Sequence, residues 1–143
     1  MTTTNGSAIS TLIREIFVAE QAQIAAGLHR QEPVTPQQAV VLQLIDQRPG
    51  LIQKDIVALM QRRAATVSTF LKKLETAGYI TRQIPEDNTR NKQLFLTNRG
   101  QAVVAAFQTT RTDVYQRLAA NLSATQQAEL VTLLTTAKAG LED

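Results

Sequence analysis

Apolar residues recur at helical spacing along most of the chain. From Ala8 to Leu28 they are Ile9, Leu12, Ile13, Ile16, Phe17, Ile24 and Leu28, which predicts an amphipathic helix behind a polar tail, Met1–Ser7. Gln31-Glu32-Pro33-Val34 breaks it. Thr35-Pro36-Gln37-Gln38 opens the next helix, with Thr35 as N-cap, Pro36 at the first helical position and Gln38 completing a capping box. Its buried face is expected to be Val40, Val41, Leu44 and Ile45, and Pro49-Gly50 ends it. A short helix from about Gln53 to Met60 follows, with Ile56, Val57, Leu59 and Met60 inward. Gln61-Arg62-Arg63 reads as a tight turn. Beyond it, Val67, Phe70, Leu71 and Leu74 form the stripe of another helix, and Gly78 stops it because glycine takes the left-handed cap without steric cost.

The periodicity then changes. Tyr79-Ile80-Thr81-Arg82 and Gln93-Leu94-Phe95-Leu96 read as extended, around a turn-rich tip from Pro85 to Lys92. Thr97 is positioned to cap a long helix from Asn98 to about Asn121, with Val103, Val104, Phe107, Val114, Tyr115 and Leu118 apolar. Ser123-Ala124-Thr125-Gln126 is a second capping box, opening a last helix striped by Leu130, Leu133, Leu134, Ala137 and Leu141. The order is four helices, a hairpin, two helices, so the fold class is mainly α. Two short helices joined by about three residues fit a helix-turn-helix, though this turn lacks the glycine many such turns carry. A hairpin after the second helix makes it a winged helix-turn-helix, with a helix suited to the major groove and a wing beside it.

Charge sharpens this picture. The net charge is +3, but Arg48 to Gly100 holds ten Lys/Arg against four Asp/Glu, a local excess of +6, leaving −3 for the rest. Positive charge concentrated on the candidate reading segment points to a polyanion partner at one face. Lys54, Arg62, Arg63, Lys72, Lys73, Arg90 and Lys92 are the candidate phosphate or groove contacts, with Arg90 at the wing tip suited to a narrow minor groove. Ala64, Ala65, Thr66, Ser68 and Thr69 are the candidate base-edge neighbours, because small side chains let a helix approach closely and their methyls can touch thymine methyls.

Other chemistry finds little support. With no cysteine there is no thiol redox centre, and a reducing compartment fits. The one histidine, His29, has Glu32 nearby and little else, so a helix-end histidine is a better reading than a metal ligand. No nucleophile elbow or glycine-rich phosphate loop appears, and neither an enzyme nor a cofactor is expected. The start MTTTNGSAIS has no signal-peptide pattern, and no run of about 18 apolar residues predicts a membrane span.

The motifs resemble one family. Ala65-Thr66-Val67-Ser68, Leu74-Glu75-Thr76-Ala77-Gly78-Tyr79-Ile80 and Leu96-Thr97-Asn98-Arg99-Gly100 are similar to the recognition helix and wing of the MarR family of bacterial transcription regulators. The family's wing carries Asp-x-Arg; this frame reads Asn88-Thr89-Arg90, with Asp87 one residue away. The position before the recognition helix, often serine there, is Arg63 here, which removes a usual N-cap. The resemblance implies a cytoplasmic homodimer on a pseudo-palindromic double-stranded operator, most often a repressor, released by a small aromatic or phenolic ligand bound between its lobes. It also implies a division into residues 1–34 (tail and dimerisation helix), 35–97 (winged helix-turn-helix) and 98–143 (C-terminal dimerisation helices). No residue identifies a ligand; Phe17, Tyr79 and Tyr115 are aromatic candidates, with core packing the weightier reading for each. The alternative is a winged-helix protein-interaction module in a larger assembly, in which Arg90 and Lys92 have no role.

Overall fold

A computed structural model describes residues 5–85 and 91–142 of the chain. The elements among them are α1 (Asn5–His29), α2 (Pro36–Gln47), β1 (Leu51–Ile52), α3 (Gln53–Met60), α4 (Ala64–Thr76), β2 (Ile80–Gln83), β3 (Gln93–Leu96), α5 (Asn98–Ala119) and α6 (Ala124–Ala139). Local chemistry accounts for most boundaries. The Thr35 hydroxyl accepts from the Gln38 amide at 3.1 Å while the Gln38 side chain accepts from the Thr35 amide at 2.9 Å. Ser123 and Gln126 repeat this at 3.2 and 2.9 Å. Each box satisfies amides that a helix start otherwise leaves without partners. α1 begins inside the expected tail, at Asn5, and α5 ends at Ala119 rather than near Asn121.

The sheet has three strands in the order β1-β3-β2, all antiparallel. β2 and β3 form the expected hairpin, with Ile80 opposite Leu96 and Arg82 opposite Leu94. β1 was not expected: two residues are too few to show an alternating pattern, and Leu51 and Ile52 become a strand by pairing with Leu94 and Gln93.

One core runs through the chain. Ile24 and Leu28 of α1, Val41, Leu42 and Ile45 of α2, Ile56, Val67, Leu71, Leu74, Leu94, and Val103 and Phe107 of α5 are all buried in it. Several expected inward positions are corrected. On α2, Val40 is exposed and Ala39 and Leu42 are buried instead, because the helix faces α5 and β3 with a stripe rotated by one residue. Leu59, Tyr115 and Leu118 are also exposed. Tyr79 is core, as expected, but Phe17 and Tyr115 are not. In the isolated chain the first half of α1 is uncovered: Ile9, Leu12, Ile13, Ile16 and Phe17 are all exposed, and α6 buries no residue at all.

The junction of α4, β2 and α5 fixes where α4 sits. Gly78 has φ +85 and ends α4 as expected. Thr97 then works in both directions. Its hydroxyl donates to the Gly78 carbonyl at 2.6 Å and accepts from the Gly100 amide at 3.1 Å, and its own amide donates to the Tyr79 carbonyl at 3.1 Å. Arg99 donates to the Ala77 carbonyl at 2.9 Å and lies 4.8 Å over the Tyr79 ring. At Gly100 a Cβ would run into the Tyr79 carbonyl oxygen, so the first turn of α5 lies directly on the backbone that leaves α4.

Candidate nucleic-acid interface

α3 and α4 form the helix-turn-helix. The turn closes without glycine because Gln61 takes the left-handed conformation, φ 52 and ψ 41, at the C-cap of α3. A non-glycine residue there costs about 1–2 kcal/mol. Long polar side chains at such a position give little sequence signal. α4 then starts at Ala64 with Arg63 as N-cap, and Arg63 makes no side-chain cap bond. The absence of a side-chain N-cap at this position, expected from Arg63, is therefore observed.

α4 has two faces. Val67, Leu71 and Leu74 are buried, each contributing roughly 1.5–3 kcal/mol; Phe70 is half-buried. Around the rest of the helix, Ala64, Ala65, Thr66, Ser68, Thr69, Lys72 and Lys73 are all exposed. The Thr69 hydroxyl donates to the Ala65 carbonyl at 3.1 Å, so its proton is engaged within the helix and its oxygen is left as an acceptor. Ser68 shows no such bond. The small residues occupy the first turn and a half, and the two lysines follow near the C-terminal end, where cations also suit the helix dipole.

The flanking cations lie on the same lobe. Arg62 and Arg63 are exposed in the turn, Lys54 in the first turn of α3, and Lys92 just before β3. Lys54, Lys92 and Ala64 line one shallow cleft of about 440 Å³, with Gln53, Arg82 and Asn91, between the helix-turn-helix and the wing root. The structure thus brings Lys54 and Lys92 together, although 37 residues separate them in the numbering of the chain. Arg90, and with it the Asn88-Thr89-Arg90 frame and Asp87, lies outside the described residues.

Among the described cations of the ten counted from sequence, Arg99 and Arg82 are engaged by groups of the protein itself. Arg99 is held at Ala77 and Tyr79. Arg82 points inward from β2: its Nη1 donates to Gln53 Oε1 at 3.2 Å and its Nε is 3.6 Å from Glu75 Oε2. Sequence reasoning did not single out Arg82, Gln53 or Glu75. A signal was present: Arg82 stands two residues after buried Ile80 on a strand, hence on the same face. His29 is exposed at the end of α1, where it was expected. No helix among the described residues is long and apolar enough to cross a membrane.

Comparison with known proteins agrees with this geometry. A sequence profile described as the MarR family matches residues 34–92, from the loop before α2 to the residue before β3. The transcriptional regulator HosA of Escherichia coli O157:H7 is 25% identical over 122 residues, covering 85% of this chain and 88% of HosA. A crystal structure of MepR, a transcription regulator of the Staphylococcus aureus multidrug efflux pump MepA, superposes with a TM-score of 0.83 at 29% identity, covering 93% of this chain and 98% of that one. The S. aureus MepR–DNA complex is similar at 32% identity and a TM-score of 0.74, over 93% of this chain and 99% of that one. With the helix-turn-helix, the three-stranded wing sheet and the Thr97–Gly100 junction all in place, the chain belongs to the MarR family of winged-helix proteins.

Proposed function

We propose that this chain is a sequence-specific double-stranded DNA-binding transcription regulator, acting as a homodimer on a pseudo-palindromic operator, most often as a repressor. The observation that carries the reading is the outer face of α4: small and hydroxylated residues exposed at its start, with Arg62, Arg63, Lys72, Lys73, Lys54 and Lys92 exposed around it. Small side chains permit close approach to base edges, and the cations suit phosphates on either side. A similar protein, MepR, has been crystallised with DNA. Residues 35–97 form the reading lobe in this proposal, and residues 1–34 and 98–143 the dimerisation lobe.

The dimer rests on the apolar side chains that one chain leaves uncovered. Ile9, Leu12 and Ile16 on α1 and Leu130, Leu133 and Leu134 on α6 are exposed in the isolated chain. A second copy would cover both helices and double the DNA contact through its two-fold axis. Release by a small aromatic or phenolic ligand belongs to the same proposal, and a screen of such anions against the DNA complex tests it.

Selection of bound duplexes from random DNA tests the central reading, followed by a salt titration on the selected sequence. A pseudo-palindromic site is expected, with log affinity falling against log salt at about 0.9 per neutralised phosphate. Recovery of no preferred sequence, with a flat salt dependence, refutes it.

A further inference from the structure

We infer that Arg82 is a positioning residue for DNA recognition: it clamps the root of the wing to both helices of the helix-turn-helix and so sets the angle between wing and recognition helix. The inference rests on the DNA-reading proposal above and deepens it.

The argument starts from the strand. β2 alternates, with Ile80 buried, Thr81 exposed, Arg82 partly buried and Gln83 exposed, so the guanidinium lies under the sheet rather than on its outer face. Its side chain is 18% exposed. A cation at that depth needs partners, and its two partners come from two different helices, while its own strand belongs to the hairpin. Nη1 donates to Gln53, the first residue of α3, at 3.2 Å. Nε is 3.6 Å from the carboxylate of Glu75, in the last turn of α4. Arg82 itself stands opposite Leu94 of β3, which fixes it in the wing. One planar fork therefore spans the start of α3, the end of α4 and the hairpin.

The alternative role for an arginine on this lobe is a phosphate contact. The geometry speaks against it. Nε is buried, and at 3.6 Å from Glu75 it makes an ion pair with no hydrogen bond. The guanidinium is turned toward two protein groups, and its neighbours Lys54 and Lys92 are the exposed charges of the cleft it lines. A wing held at a fixed angle matters because contacts made by two rigidly linked elements count together only when both reach the duplex at once.

Two variants separate the roles, because their electrostatic expectations run opposite to the clamp's. Arg82→Lys keeps the charge but not the planar fork, so a phosphate contact survives it and a clamp does not. Glu75→Ala removes an acid from a DNA-facing lobe, which by charge alone strengthens binding to a polyanion. The clamp predicts that both weaken binding to the selected duplex, each on the order of threefold to tenfold, the equivalent of a lost hydrogen bond or ion pair. Hydrogen–deuterium exchange on the DNA-free chain is the second readout. Faster exchange is expected in 80–83 and 93–96, with α2 and the core of α5 unchanged.

Unchanged or tighter binding by Glu75→Ala overturns the inference, as does full retention of affinity by Arg82→Lys. Weaker binding with unchanged wing exchange makes Arg82 a direct contact and also overturns it. Faster exchange throughout the chain does so as well, by making the residue a general bolt of the fold. If the wild-type chain binds no duplex, the DNA reading fails separately, and the clamp stands or falls on exchange confined to the wing.

Discussion

Gly100→Ala sets intrinsic helix preference against packing, and the two predict opposite signs. Gly100 is the third residue of α5, where alanine is favoured over glycine by about 1 kcal/mol on propensity alone. The structure places the Tyr79 carbonyl oxygen where the new methyl must go, with the Tyr79 carbonyl carbon at 3.2 Å and a Leu96 methyl at 3.3 Å. The Leu96 methyl can give way; the Tyr79 backbone is held by the Thr97 amide at 3.1 Å and continues directly from Gly78 at φ +85. Forcing a methyl against fixed backbone costs about 1–3 kcal/mol, and occasionally more. If α5 moves away instead, the Thr97 amide bond and the Thr97 cap both stretch, at about 1 kcal/mol each. Less the propensity gain of about 1 kcal/mol, the net expectation is a destabilisation of about 1–2 kcal/mol, or a fall in Tm of roughly 3–8 °C for a chain of this size. Urea unfolding at fixed protein concentration measures it. Gly78→Ala is the comparison: a Cβ there meets only Arg99 Nη1 at 4.0 Å, so its cost is the positive φ, about 1–2 kcal/mol. A Gly100→Ala protein as stable as the wild type, or more stable by the roughly 1 kcal/mol that propensity alone favours, refutes the claim that α5 is seated on the α4 exit.

Gln61→Gly should raise stability by about 0.5–1 kcal/mol, because it relieves a left-handed non-glycine residue at a loss of chain entropy smaller than that strain; thermal unfolding checks it. Leu133→Asp should convert the chain to monomer in sedimentation without loss of helix content, since that side chain is 65% exposed in one copy, and an unaltered association state counts against the proposed dimer. Lys72→Ala should weaken binding to all duplexes about equally and flatten the salt slope by about 1 for each phosphate the lysine neutralises. Ser68→Ala should instead cost about 1–3 kcal/mol at one or two base positions and leave the slope unchanged, which comparison of selected and random duplexes resolves.

What was legible in the sequence depended on how local its cause was. The capping boxes at Thr35 and Ser123, the glycine stop at Gly78 and the Thr97 cap all act within four residues, and each stands where the sequence placed it. α3 and β3 also have the expected limits. The misses had distant causes. β1 exists because Leu94 and Gln93 lie beside Leu51 and Ile52, about forty residues away in the chain. Val40 and Leu42 exchanged roles because both fit a helical stripe, and only the position of α5 decides which edge of α2 is covered. Arg82 reads as surface charge in a simple count, yet alternation alone puts it on the face of buried Ile80; its partners Gln53 and Glu75 are not visible from the strand. The stripes on α1 and α6 carry the deepest ambiguity. A stripe states that a helix is covered, not by which chain. α6 has a complete capping box and an apolar stripe, yet its 16 residues bury nothing in the isolated chain. A helix of that length is marginal in water on propensity alone, so its stability has to come from packing. Packing absent within one copy is what the proposed second copy would supply, and this is why the exposed leucines of α6, rather than the core, are the residues on which the dimer should depend.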